Sequence, residues 1–71
     1  MNFDHRRFLV DKWGDPDKVV AFMAVYGLKI ERATVNMWFR RRQIPSDHFA
    51  VLLGLLQIEN GAPVSTAEYL S

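Results

Sequence analysis

Apolar side chains recur at helical spacing along most of the chain, and glycine or proline interrupts each run. Gly14 would end the first run, since glycine readily takes the left-handed conformation that closes a helix. Asp15 and Pro16 then suit the start of a helix. The aspartate side chain can accept a hydrogen bond from a free backbone amide of the first turn, and proline has no amide hydrogen that would lack an acceptor. The pattern predicts four helices and a short final turn. Their approximate bounds are 4–13, 16–26, 31–42 and 46–58, with the tail turn at 65–70.

The second run contains several β-branched residues and would also suit a strand. Its length, the Asp-Pro entry and the Phe22/Tyr26 pair at helical spacing favour a helix. Gly27 would end it.

The third helix has a less definite start than the others. It begins near Ile30 or Glu31, where no capping residue is present, and Thr34 is an alternative cap for a shorter helix. The end is clear, because Pro45 restricts the residue before it to extended conformations. Ser46 would then cap the fourth helix.

Length and composition narrow the class of protein. A chain of 71 residues forms one domain, residues 1–71, and buries little core. The expected fold is all-α, a small four- to five-helix bundle.

The absence of cysteine excludes disulfides, a thiolate nucleophile and a cysteine zinc site. No paired carboxylates or Ser-His-acid set suggest catalysis, and we expect neither an enzyme nor a small-molecule substrate. His5 and His48 lack further ligands, so no metal or cofactor is expected either.

The small net charge of +1 hides an uneven distribution. Residues 1–28 carry four bases and four acids, and residues 44–71 carry three acids alone. Residues 29–43 carry five bases and one acid, a sum of +4. The third helix therefore holds the whole positive excess.

No apolar signal segment follows Met1 and no stretch is long enough to span a bilayer, so we expect a cytoplasmic protein without membrane contact.

A helical wheel places this charge on the outer face of the third helix. With Val35, Trp38 and Phe39 turned to the core, the outward residues are Ala33, Asn36, Met37 and Arg40, and the flanking residues are Arg32, Thr34 and Arg41. Arginine can pair with guanine, asparagine with adenine, and small or apolar groups can touch the thymine methyl group. The face therefore suits the major groove of DNA, although a merely solvated basic face is the simpler interpretation.

The order of these features resembles a helix-turn-helix domain of the small Cro-like phage and bacterial regulators. The matching features are a helix ending at Gly27, a second helix with Val35-x-x-Trp38 and arginines at its close, and Ile44-Pro45 before the next helix. The resemblance implies that Val35 and Trp38 anchor the recognition helix and that the residues between and after them read DNA.

Two features depart from the family pattern. Gly27 and Trp38 are farther apart than usual, which implies a longer turn, and Met23 stands where the family has a small alanine, beside Ala24. The run from Val35 to Arg42 is also similar to the third helix of a homeodomain, but the Ile-Pro break and the arginine at position 41 differ from that family.

The charge distribution, the helical wheel and the resemblance together indicate a set of candidate DNA contacts. They are Lys29, Arg32, Thr34, Asn36, Met37, Arg40 and Arg41. Lys18 is a further candidate for contact with a phosphate, while Arg6 and Arg7 are weaker ones.

The fourth helix carries apolar residues nearly all the way round, so it should be covered on most sides. A twofold homodimer through this helix and the tail would supply the cover. The predicted interface residues are Val51, Leu52, Leu55, Tyr69 and Leu70. Alternatively, the helix is simply the central core helix of a monomer.

The combined prediction is a sequence-specific regulator that binds double-stranded DNA, a repressor that reads the major groove with the helix Glu31–Arg42. The alternative is a protein-interaction module, an antirepressor or adaptor, that uses the apolar face of the fourth helix. RNA binding has little support, because the basic helix shows no exposed aromatic platform.

Overall fold

The computed structural model describes residues 2–70, which form four α-helices and one turn of 3-10 helix. The helices are α1 (His5–Lys12), α2 (Pro16–Val25), α3 (Arg32–Arg41) and α4 (Ser46–Asn60), and the 3-10 turn is Ala67–Tyr69. All predicted helices are present, and their bounds agree with the predictions to within two residues. The predicted domain 1–71 also includes Met1 and Ser71, which lie outside the described residues.

Short local signals set the ends of the first two helices. The Asp4 carboxylate accepts a hydrogen bond from the Arg7 amide at 3.0 Å, and Asp15 accepts one from the Lys18 amide at 3.0 Å. Each aspartate thereby satisfies an amide that the first helical turn leaves free. Gly14 follows α1 with a φ of +96°, a conformation that side chains rarely adopt.

The starts of α3 and α4 differ from two details of the prediction. Thr34 lies inside the first turn of α3, which begins at Arg32, so the shorter helix capped by Thr34 is wrong. Ser46 is the first helical residue of α4 rather than its cap, and Pro45 occupies the cap position without a side-chain hydrogen bond. Proline can stand there because the cap needs extended backbone, which its fixed φ of −54° supplies.

One apolar core joins the elements. Its fully buried members come from every α-helix and include Phe8 and Leu9 of α1, Val19 of α2, Val35 of α3 and Leu52 of α4. The other buried core residues are Trp13, Met23, Trp38, Ile44, Leu56 and Tyr69. Helix α3 packs against both α1 and α2.

Helix α4 is joined to the rest of the chain through large side chains. Phe49 places its ring 4.9 Å from that of Phe3 and 5.6 Å from that of Phe8, and the His48 ring lies 5.2 Å from Trp38. Large aromatic side chains can span the distance between α4 and the elements it packs against, and contacts between rings stabilise the packing beyond the area that they bury.

Two residues of the predicted dimer interface are core residues of the single chain. Leu52 is 0% exposed and Tyr69 is 2% exposed, so neither presents a surface to a second copy. This corrects the prediction for both residues. Because α4 is apolar nearly all the way round, a helical wheel could not show which of its sides the first three helices bury and which remain exposed.

The two ends of the described chain lie together. Phe3 and Leu70 form an isolated antiparallel bridge, and the Asp4 amide donates to the Tyr69 carbonyl at 2.7 Å. Burial, with smaller contributions from Glu68 and Asp11, raises the pKa of the Tyr69 phenol to about 12. The tail turn therefore closes the core beside α1.

No helix among residues 2–70 has the length and apolar content needed to cross a membrane.

Candidate functional site

The basic helix α3 is fixed to the core along one side. Val35 is fully buried, Trp38 is 4% exposed, and Phe39 packs against the core at its edge. Because these residues share one side of the helix, the opposite side faces solvent. Ala33, Met37 and Arg40 lie along that exposed side.

The candidate DNA contacts fall into two groups by exposure. Thr34 and Asn36 are half-buried at the two edges of α3. The exposed members are Lys29, Arg32, Met37, Arg40 and Arg41.

Arg32 has a partner within the chain. Its Nε donates to the Asp17 carboxylate of α2, in an ion pair whose two side chains are 62% and 69% exposed. The contact joins the first turn of α3 to the first turn of α2. Arg32 is therefore already paired with an acid within the chain, which makes it a weaker candidate for reading DNA than its position on the wheel suggested.

Four other arginines lack such a partner. Within residues 2–70, Arg6, Arg40, Arg41 and Arg42 form neither an ion pair nor a side-chain hydrogen bond. Arg7 differs from them, since it lies 3.9 Å from Asp11 and donates to the Glu68 carbonyl at 3.2 Å. The structure thus leaves a particular subset of the arginines available to an external anion.

Two shallow grooves follow the sides of α3. The first, here called the mixed groove, is lined by Thr34, Met37, Trp38, Arg41, Gln43 and Pro45. The second, here called the arginine groove, is lined by Arg6, Asn36, Phe39, Arg40 and Arg42. Arg40 and Arg41 also line a small depression with Met37 between the two. Cationic and hydrogen-bonding groups therefore extend across the full width of the exposed side.

Arg42 adopts an uncommon backbone conformation. It ends α3 with a φ of +56° and a ψ of +39°, the left-handed region, where a non-glycine residue costs of order 1 kcal/mol. The Gln43 amide donates to the Trp38 carbonyl at 3.1 Å and closes the turn. This conformation turns the chain back toward α1, so that Arg42 and Arg6 line the same groove.

A histidine fixes the segment that follows Arg42. The Ile44 amide donates to Nδ1 of His5 at 2.8 Å, and the imidazole packs against Phe3 and Phe49. Burial lowers the pKa of His5 below its usual value of 6.5, although the Asp4 charge acts in the opposite direction. Only a neutral imidazole leaves Nδ1 free to accept this bond.

The connection between α2 and α3 spans residues 26–31. Gly27, with a φ of +77°, donates to the Ala24 carbonyl at 2.9 Å, and the Leu28 amide donates to the Met23 carbonyl at 3.0 Å. These bonds end α2 and lead into an extended segment that carries Lys29. Met23 is buried and Ala24 exposed, so the inner face of α2 presents a large side chain to the core.

The outer flank of α4 carries an apolar stripe. Val51 is 40% exposed, Ile58 is 68% exposed and Leu55, between them on the helix, is half-buried. Leu70, also predicted for the interface, is exposed in the tail. Val51 and Ile58 are the exposed large apolar side chains of α4, and together with Leu55 they form this stripe.

Two residues of this site, Arg6 and Arg42, were not among the main predicted DNA contacts. Arg42 was counted in the charge of the third helix but was not assigned to a surface, and Arg6 was rated a weak candidate. A left-handed C-cap is typical of helix ends and could have indicated that Arg42 leaves the helix wheel. Nothing in the local pattern near Arg6 signals a neighbour 36 positions away.

Within the described part of the chain, no group of three or more His, Asp or Glu side chains is placed to hold a metal ion. No protein-family model, curated protein or solved structure matches this chain.

Proposed function

We propose that this protein is a transcriptional regulator that binds double-stranded DNA in a sequence-specific manner, with α2 and α3 as a helix-turn-helix and α3 as its recognition helix. One observation carries the proposal: four arginines without partners in the described chain surround the outer side of a helix that Val35 and Trp38 hold in place. Exposed cations without partners create a local positive potential that attracts a polyanion.

The shape of the surface favours duplex DNA among polyanions. An α-helix with its side chains is about 10–12 Å across and fits a major groove about 12 Å wide. Helix α3 packs against α1 and α2, and Ala33, Met37 and Arg40 are exposed along its outer side. The residues at its centre offer a mixed set of contacts, as base edges require, rather than charge alone.

Separate roles follow for the exposed residues. Arg40, at the centre of the outer side, would donate to guanine, and Asn36, at the edge of the arginine groove, would pair with adenine. Met37 would contact a thymine methyl group. Arg41 and Lys29 would bind phosphates, which position a protein without reading sequence. Thr34 would add a hydrogen bond from the mixed groove.

We also propose that the protein acts as a homodimer and a repressor. The apolar stripe of α4 is the favoured contact between copies, because burying Val51 and Ile58 would remove exposed apolar area from water. Two recognition helices would then read half-sites about 34 Å apart. Occupancy of an operator that overlaps a promoter would block transcription.

Selection from a random library of duplexes tests the main proposal directly. Enrichment of one motif is expected, and a dimer predicts that the motif is palindromic. A flat enrichment profile would remove the regulator proposal. The affinity should also fall with salt, by about 0.9 in log–log slope for each phosphate contact.

Sedimentation distinguishes the dimer from the main alternative, a protein-interaction module that uses the same stripe. We expect association at micromolar concentrations, and we expect Ile58→Gln to weaken it while Gln57→Glu, an exposed change on the adjacent side of the helix, does not. A single monomeric species at all these concentrations would contradict the dimer. Such a result together with a flat DNA selection would favour the interaction module.

A further inference from the structure

The arginine groove concentrates positive charge at the boundary between α1 and α3. Arg6, Arg40 and Arg42 line it, and no acidic residue among residues 2–70 does. Asp4 and Asp11 line the neighbouring groove on α1, where Arg6, Arg7 and Arg42 also take part. Like charges held close together repel one another unless an anion binds between them.

A hydrogen bond links the two segments of the chain that carry Arg6 and Arg42. His5 accepts a hydrogen bond from the backbone amide of Ile44. His5 directly precedes Arg6, and Ile44 follows Arg42 by two residues. Ile44 is buried, so the backbone on both sides of the groove is anchored. Glycine would adopt the left-handed conformation of Arg42 with less strain, and the arginine side chain forms no ion pair or hydrogen bond within residues 2–70.

We propose that the arginine groove binds one backbone phosphate of duplex DNA, held by Arg6 from α1 and Arg42 from the end of α3. This inference rests on the proposed function and adds a phosphate site with a second element, α1, to it. A helix lying in the major groove has a phosphate strand on each side, and the groove lies at the side of α3. The guanidinium group suits this ligand, because it can donate two parallel hydrogen bonds to phosphate oxygens.

The site would set the position of α3 on the duplex. A phosphate bound at the end of α3 fixes how far that helix advances along the groove, and therefore which base pair faces Arg40. Because phosphates are common to every sequence, loss of the contact should weaken binding to all duplexes alike.

The test compares three variants on the duplex that the wild type selects and on a scrambled duplex of equal length. Arg6→Gln and Arg42→Gly each remove one proposed contact, and Arg7→Gln removes the same charge from a neighbouring residue already paired with Asp11. Each of the first two variants should lower the salt slope by up to about 0.9 and the affinity by up to about fivefold at about 0.15 M salt, because the arginine that remains in the groove still binds the phosphate. Arg7→Gln should change both values much less.

Arg42→Gly also separates binding from folding. Glycine takes the left-handed conformation without strain, so the melting temperature should stay the same or rise while DNA affinity falls. A methylphosphonate scan, in which single phosphates of the duplex are made neutral, should find one position whose neutralisation weakens binding by the wild type more than binding by Arg42→Gly.

The outcomes distinguish this proposal from the one on which it rests. If the wild type selects a motif but Arg6→Gln and Arg42→Gly keep its salt slope, the phosphate site is wrong and the regulator stands. If the variants lose affinity for the selected duplex alone, Arg6 and Arg42 read bases instead and the proposal also fails. Binding to polyglutamate without binding to any duplex would overturn both proposals in favour of an acidic protein partner.

Discussion

The arginines of this protein occupy two kinds of surface. Arg7 and Arg32 lie where α1 and α2 carry aspartates, and each has an acidic partner. Arg40, Arg41 and Arg42, with Arg6 beside them, have no partner within residues 2–70. The two kinds are neighbours in sequence and on the surface. Charge near a helix is therefore a poor guide to function until its partners are known.

The difference follows from where the acids lie. Asp17, in the first turn of α2, is within reach of the first turn of α3 but not of its last turn. The far end of α3 faces solvent and the N-terminus of α1. An exposed ion pair contributes about 0–1 kcal/mol, so pairing or leaving an arginine free hardly changes stability. It changes strongly what the arginine can bind.

The largest expected effect comes from removing the anchor that holds the free arginines outward. Trp38→Ala should lower the free energy of unfolding by about 3–5 kcal/mol, because it leaves a cavity where an indole was 4% exposed. Urea unfolding measures it. Met37→Ala, one position along and 39% exposed, should change stability by less than about 1 kcal/mol. Similar losses for the two variants would show that α3 is not anchored through Trp38.

The next effect contrasts a free arginine with a paired one. Arg40→Ala should weaken binding to the selected duplex by about 1–3 kcal/mol and relax its preference at one base position, with little change in stability. Arg32→Ala should lower the unfolding free energy by up to about 1 kcal/mol and affect DNA binding less. Titration and urea unfolding of both variants test the contrast, and a greater affinity loss for Arg32→Ala would reverse it.

A smaller effect is expected from the histidine that holds Arg42 beside Arg6. The folded state lowers the pKa of His5, so its stabilising effect is complete above pH 6.5 and is lost as the pH falls through the lowered value. Protonation should remove the hydrogen bond to Ile44, which contributes about 0.5–1.5 kcal/mol.

Unfolding free energies measured at about pH 7 and below test this dependence. His5→Asn is the matched control, because its side-chain oxygen can accept the Ile44 amide but does not titrate. Its baseline stability should be lower, since it loses the ring contacts with Phe3 and Phe49. Equal pH slopes for the variant and the wild type would show that His5 is not the titrating group.

The smallest effect should come from leaving Arg32 without an acidic partner. Asp17→Asn removes its partner, and we expect a stability loss of less than about 1 kcal/mol with a gain in DNA affinity of about twofold. The double variant Asp17→Asn with Arg32→Ala should lose the gain if the freed arginine causes it. A gain that persists in the double variant would instead reflect the general loss of negative charge.

Most of the fold could be predicted because its signals are local. Asp4 and Asp15 cap helices through amides three residues away, and Gly14 and Gly27 end helices through their own backbone conformation. Ser46 is the exception, because proline can serve as the cap when the turn before the helix is already extended. The buried side of α3 was also predictable, since Val35 and Trp38 recur at the helical period.

The site was predicted less completely because half of it depends on distant neighbours. The wheel identified Arg40 and Met37 as exposed, but it left both Arg32 and Arg40 as candidate DNA contacts. It could not show that Arg32 meets Asp17, or that Arg6 and Arg42 line one groove. For the same reason it assigned Leu52 and Tyr69 to a surface when both lie in the core.

The sequence by itself determined the helices, their ends, the concentration of charge in α3 and the side that α3 turns outward. These properties depend on residues within a few positions of one another, where backbone geometry fixes the spacing. Only the tertiary structure decided which arginines are neutralised and which stripe of α4 remains uncovered. Ion pairs and buried contacts join residues across the chain, and their geometry is set by how the helices pack together.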